Sequence, residues 1–212
     1  MRVALVSAVF GGIDRLKSVP PQTVPFDFHL FTETNSEFPF PDLHDRMRAK
    51  YFKLQTHHVL PDYDAYIWID GSVQVIDESF VATMLGYMPL NGVTLNRHPD
   101  RSGIKEETAF ILNAMDAGEP YFDSRYPAKT IKRETEFILS DGYKDDLGLY
   151  ECGIFARPNN SIVNAFFDAW WEHCLKWCCF DQNAFPYLAW KHDLTIIPFI
   201  GRKHFTLERH AR

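Results

Sequence analysis

The stretch Tyr66-Ile67-Trp68-Ile69-Asp70-Gly71-Ser72-Val73-Gln74-Val75 constrains this chain more than any other. Tyr, Ile, Trp and Ile suit a pleated, buried surface. A short apolar run bounded by turn residues reads as an interior strand. A buried, unpaired carboxylate is too costly for a core. Asp70 is therefore expected where the strand leaves the sheet, at the carboxyl edge where open α/β sheets bind ligands. Gly71 permits close backbone approach or positive φ, and Ser72 adds an oxygen two residues on. Asp-x-Ser thus offers two oxygens to a hard divalent cation. The same residues also make an ordinary turn in which Asp70 caps backbone amides. The stretch alone leaves both readings open.

What flanks it has a definite order. Residues 2–10 read as a first strand ending in Gly11-Gly12-Ile13-Asp14, and 26–32 alternate as a second, closed by a polar loop at Thr32. From Leu43 to Leu60 the period becomes helical. Arg46, Lys50, Lys53 and His57 make a basic stripe at steps of four, three and four, beside Met47, Tyr51, Leu54 and His58. The stripe suits a solvated helix face or a face that meets an anion. Pro61-Asp62-Tyr63-Asp64 stops the helix, so the basic face leads directly into the Asp70 strand. Further strands are expected at 73–76, 92–95, 149–156 and 195–200. Helices are expected at 79–87 with Asp77 as N-cap, 104–117, 129–140, 162–179, and through Trp190 with Asp181-Gln182-Asn183 as cap. Residues 118–129 read as irregular and 201–212 as a basic tail.

Strands alternating with helices predict a mixed, mostly parallel α/β sheet flanked by helices, with one active edge. The whole of 1–212 is expected to be one Rossmann-like domain, with neither repeat nor linker. The net charge of −6 argues against a general nucleic-acid binder. No apolar run approaches the roughly 20 residues that span a bilayer, and Val3–Phe10 reads as a strand, not a signal peptide. Cys152, Cys174, Cys178 and Cys179 do not form a disulfide framework, which points to a reducing, cytoplasmic compartment. His173 near Cys174 and Cys178 lacks a second pair at finger spacing, so these thiols are expected to act as small buried hydrophobes.

The polar residues at expected strand and helix ends are Asp70, Ser72, His98, Arg101, Glu151, Asp181, Gln182 and His204. Oxygen donors with at most one His suit Mg²⁺ or Mn²⁺ better than zinc. With nearby Arg and Lys, such a site suits a diphosphate leaving group.

Tyr51-Phe52-Lys53-Leu54, Val59-Leu60-Pro61-Asp62-Tyr63-Asp64 and Tyr66–Ser72 together resemble the helix-turn-strand-DxD segment of GT-A glycosyltransferases. The likeness is greatest to a small transferase-like domain of plant and bacterial proteins and to a chlorella-virus glycosyltransferase domain. His98-Pro99-x-Arg101 with Glu106-Glu107, Tyr150–Arg157, and Asp181-Gln182 with Phe185-Pro186-Tyr187 match that pattern in order. Ser72 replaces the second acid of the motif.

The resemblance implies a GT-A-like fold and a metal-assisted transferase. It would move a sugar from a nucleotide-diphosphate donor, UDP-linked for preference, to a glycan acceptor. Ser7, Ala8, Val9, Phe10, Asp14 and Thr32 would hold base and ribose. Arg46, Lys50 and Lys53 would meet the pyrophosphate. Asp70, Gly71 and Ser72 would hold the diphosphate with Mn²⁺ or Mg²⁺, and His204, or failing it His210, would complete the metal shell. Glu151 or Asp181 would orient the sugar or act as general base, and His98, Arg101 and Gln182 would contact donor or acceptor. Two alternatives remain: a sugar-nucleotidyltransferase, for which Gly11-Gly12-Ile13-Asp14-Arg15 is a poor loop, and a degenerate glycan- or partner-binding domain, which Ser72 favours.

Overall fold

The computed structural model describes residues 1–15, 17–40, 42–123, 127–178 and 180–207. In chain order its elements are β1 (Val3–Ala8), β2 (Asp27–Phe31), α1 (Asp45–Leu54), α2 (Thr56–Val59), β3 (Ala65–Ile69), β4 (Val73–Val75), α3 (Phe80–Tyr87) and β5 (Gly92–Arg97). They continue as α4 (Ile104–Asp116), α5 (Pro120–Asp123), α6 (Ala128–Ser140), β6 (Tyr150–Pro158), α7 (Ser161–Lys176), α8 (Asp181–Lys191), β7 (Thr195–Pro198), a 3₁₀ turn (Arg202–His204) and β8 (Phe205–Leu207).

The central sheet has six strands in the order β2-β1-β3-β6-β5-β7, and β4 pairs with β8 as a separate ribbon. Strand β1 runs parallel to β2 and β3, and β5 runs parallel to β7. Only β6 is antiparallel to its neighbours, so the sheet is mixed and mostly parallel, as expected. Chain connections leave β1 toward β2 on one side and come back to β3 on the other. That reversal opens a crevice beyond the carboxyl ends of β1 and β3.

Alternation along the strands assigns the two faces. Ala4, Val6 and Ala8 of β1, with Tyr66 and Trp68 of β3, enter one core with residues of α1, α7 and α8. Val3 and Leu5, with Ile67 and Ile69, enter the other with Phe80, Val81 and Met84 of α3 and the β4–β8 ribbon. Asp70 falls two residues after Trp68, so it shares the face on which α1 packs.

Three local departures bear on the site. The helix expected over 43–60 breaks at Gln55 (φ −102°, ψ 22°), where the Thr56 hydroxyl donates back to the Phe52 and Lys53 carbonyls, a bond that bends helices. Residues 120–123, expected to be irregular, form the short helix α5, and residues 205–207, expected in a tail, form strand β8. Strand β6 carries a bulge: Leu95 pairs with Phe155 but Asn96 pairs with Glu151, so Cys152-Gly153-Ile154 are extra on one side. Bulges re-aim side chains. This one puts the Gly153 carbonyl against the Asp70 amide at the end of β3.

Candidate functional site

A cleft of about 350 Å³ lies beyond the ends of β1 and β3. The apolar end of β1 brings Ala8, Val9 and Phe10 to it, and the following loop brings Asp14. One turn of α1 and the next bring Arg46, Lys50 and Lys53 of the basic stripe, while His57 lies away from the cleft. Asp70, Gly71 and Ser72 enter from the β3–β4 turn, Glu151 from the β6 bulge, and Asp181 and Gln182 from the first turn of α8. His98 enters from beyond β5.

At its centre two ammonium groups meet two carboxylates. Lys53 Nζ is 2.7 Å from Asp181 Oδ2 and 3.1 Å from Asp70 Oδ1, and Lys50 Nζ is 2.5 Å from Asp181 Oδ2. The Lys53 side chain is only 2% exposed, and its ammonium also lies 5.7 Å from the Trp68 ring centroid and 5.9 Å from that of Phe155. Such faces attract a cation. The Trp68 indole N–H donates to Asp70 Oδ1 at 2.6 Å. Burial alone would raise the Asp181 carboxyl, but the charges of Lys50 and Lys53 outweigh it and hold the group below the usual carboxylate range. Asp181 Oδ1 is buried and accepts no hydrogen bond from the described residues.

Two glycines allow close approach. A Cβ on Gly71 would stand 2.7 Å from Asp14 Oδ2, and one on Gly153 would stand 3.2 Å from Asp70 Oδ2. The Asp70 amide donates to the Gly153 carbonyl at 2.8 Å, so the bulge and the acid are fixed together. Lys17 Nζ donates to the Gly71 carbonyl and ties the loop after β1 across the same turn.

Other expected residues sit elsewhere. Ser7 lies within β1 and away from the cleft, and Thr32 closes β2 by donating its amide to Asn35 Oδ1 at 2.8 Å. Arg101 is drawn aside: it pairs with the buried Glu107, lies 3.9 Å over the Phe110 ring and contacts His98 Nε2 at 2.7 Å. His204 is buried, with Nδ1 3.0 Å from Asp77 Oδ1, and does not line the cleft. His210 and Cys179 lie outside the described residues. Asp181 is the first residue of α8, not its N-cap, which is Phe180. Asp77 accepts from the Ser79 amide at 2.7 Å just ahead of α3.

Residues the sequence reading passed over include Trp68, whose position two before Asp70 on one strand face was an available signal. Gly153 and Cys152 follow from the bulge, which no local pattern announces. Burial pushes the Cys152 thiol well above its ordinary range, so it stays neutral. Arg202 Nη2 sits 2.5 Å from Glu151 Oε2, and Tyr121 lines the mouth 6.0 Å from the Arg46 guanidinium.

The donor set at Asp70 does not fit the expected divalent ion. One Asp70 oxygen is already taken by an indole N–H and an ammonium, and Ser72 contributes only a neutral hydroxyl. Two lysines balance the two central carboxylates before any metal is added. Among the described residues, the group of three His, Cys, Asp or Glu ligands close enough to share an ion is His57, His58 and Asp168, away from the cleft. There the Arg157 guanidinium lies 3.1 Å from His57 Nδ1, so that nitrogen accepts and Nε2 carries the proton toward Asp168. A metal-binding histidine needs the opposite tautomer.

No protein-family model matches the sequence, and a search of curated proteins finds no match. Among solved structures, the chain is similar to a glycosyltransferase involved in the glycosylation of the major capsid of PBCV-1. The TM-score is 0.44 and the identity 8%, covering 92% of this chain and 80% of that one. It is also similar to mouse xyloside xylosyltransferase 1, with TM-score 0.43, identity 9%, and coverage of 92% and 84%. Both neighbours are glycosyltransferases, and at these values the likeness carries no weight for what this chain does.

Proposed function

We propose that this protein is a glycosyltransferase that takes a sugar from a nucleoside-diphosphate donor, UDP-linked for preference, and passes it to a hydroxyl of a glycan acceptor. The observation that carries the reading is the Lys50–Lys53–Asp181–Asp70 cluster beneath a cleft at the strand reversal between β1 and β3. A buried cluster of this kind is costly as a mere stabiliser, and strained or perturbed charge in a cleft is a mark of function.

The chemistry then follows from the side chains. The bond from the anomeric carbon to the β-phosphate oxygen breaks, and a bond to the acceptor oxygen forms. Lys53 and Lys50, with Arg46 beside them, meet the negative charge that collects on the departing diphosphate. The acceptor proton goes to a carboxylate. Asp181 is a poor base, because two ammonium groups hold its carboxyl low. Glu151 is the better candidate, held in place through Oε2 by Arg202. Val9, Phe10 and Asp14 would hold the nucleoside, and His98 and Gln182 the sugar. No step is assigned to a divalent ion.

Calorimetric titration with UDP, GDP and TDP tests the reading. Saturable binding of one diphosphate, weakened by Lys50→Met, is the expected result. A protein that binds none of the three but binds glycans would instead be the degenerate domain.

A further inference from the structure

Two carboxylates and a hydroxyl near a diphosphate are where a bridging metal ion would be sought, yet in this cleft the bridge is a side chain. Lys53 Nζ donates to Asp181 Oδ2 at 2.7 Å and to Asp70 Oδ1 at 3.1 Å, linking α1 to the ends of β3 and α8. We propose that the Lys53 ammonium is the resident cation of this cleft, and that a nucleoside diphosphate binds there without a divalent ion. The inference rests on the nucleotide-sugar reading above.

Four observations carry it. Lys53 is almost fully buried, so its position is set by packing and not by solvent. Its ammonium lies over the neighbouring rings of Trp68 and Phe155, which attract a cation. Trp68 Nε1 occupies the same Asp70 oxygen, which leaves that carboxylate one oxygen at most for anything else. The motif position two residues on holds Ser72, which brings no charge. A dication seated at Asp70 would stand close to a fixed ammonium, with Asp14 and Glu151 the further carboxylates that line the cleft. A lysine in this role needs no metal loading and is in place before the substrate arrives.

The experiment compares the affinity of wild-type protein for UDP and GDP in EDTA and in Mn²⁺, alongside Mn²⁺ binding followed by electron paramagnetic resonance. The expected result is an affinity that changes by less than about threefold between the two conditions, with no protein-bound Mn²⁺ signal in the absence of nucleotide. Lys53→Met should lose at least about tenfold in EDTA and regain part of it in Mn²⁺, as the two carboxylates become a metal site. Lys53→Arg, which keeps the charge, should retain binding in EDTA and guards against a variant that fails to fold. Wild-type binding that needs Mn²⁺ would overturn the inference and leave the nucleotide reading standing. Binding of neither nucleotide in either condition would overturn both.

Discussion

Lys53 and Asp181 lie 128 residues apart in the chain and 2.7 Å apart in the fold, with Asp70 on the other side of the same ammonium. Three elements meet at that nitrogen: the end of a helix, the end of a strand and the start of a second helix.

Asp181→Ala removes the shared counter-charge of two buried lysines. Breaking a buried pair from one side leaves charge uncompensated, at a cost of about 3–5 kcal/mol. Urea denaturation should show that loss in the midpoint. Asp181→Asn, which keeps one hydrogen-bond acceptor, should lose less. Equal stability of Asp181→Ala and wild type would mean the cluster is not formed in solution.

Gly153→Ala tests the bulge. Its new Cβ would lie 3.2 Å from Asp70 Oδ2, tight enough to displace the carboxylate by a few tenths of an ångström. Nucleotide affinity should fall by about tenfold, while the melting temperature shifts by no more than a few degrees, in line with about 1 kcal/mol. A variant with wild-type affinity would show that Asp70 does not need its present position.

His204→Ala separates this structure from the metal role expected for that residue. The ring is buried against Asp77, not directed into the cleft. Truncation should lower stability by about 2 kcal/mol through lost packing. Nucleotide affinity should stay within about twofold of wild type. A selective loss of nucleotide binding at unchanged stability would restore His204 to the site.

Acid should weaken the fold through His57. Burial, reinforced by the Arg157 guanidinium, pushes its pKa from 6.5 down to about 4. Between those values the unfolded chain binds a proton that the folded one does not. Stability from this group is therefore complete above about pH 6.5 and is lost as the pH falls toward 4, by on the order of 2 kcal/mol. Denaturant melts at pH 7.5 and pH 5 should show that difference, and His57→Gln should reduce it. Asp181 adds a loss of the same sign at lower pH, since its carboxyl is depressed in the folded state.

Much of this arrangement was legible in the sequence, because period alone gives it. The short apolar run 66–69, bounded by turn residues, reads as an interior strand, the step of four and three in Arg46, Lys50 and Lys53 marks one helix face, and the order of the two puts that face beside Asp70. What local pattern cannot carry is distance in the chain. Asp181 read as a helix cap because an Asp beside Gln-Asn at a helix start usually is one; its pairing with two lysines depends on where α8 lands. His204 followed a glycine at a strand end, but a neighbouring ribbon, β4–β8, claims it for Asp77. Ser7 and Thr32 are polar residues on strands that look site-directed until the sheet shows one inside β1 and the other closing a turn. The bulge in β6 is invisible in Tyr150–Ala156 because it exists only against the register of β5.

Turnover is the most direct test of the cleft. Wild-type protein incubated with UDP- and GDP-linked sugars and a mixed glycan acceptor pool should release nucleoside diphosphate and yield a glycan heavier by one sugar. Glu151→Gln should abolish transfer while leaving diphosphate affinity intact, and Lys53→Met should weaken both. No diphosphate release from any donor, or transfer that survives in both variants, would contradict the assignment of this cleft as a glycosyltransferase centre.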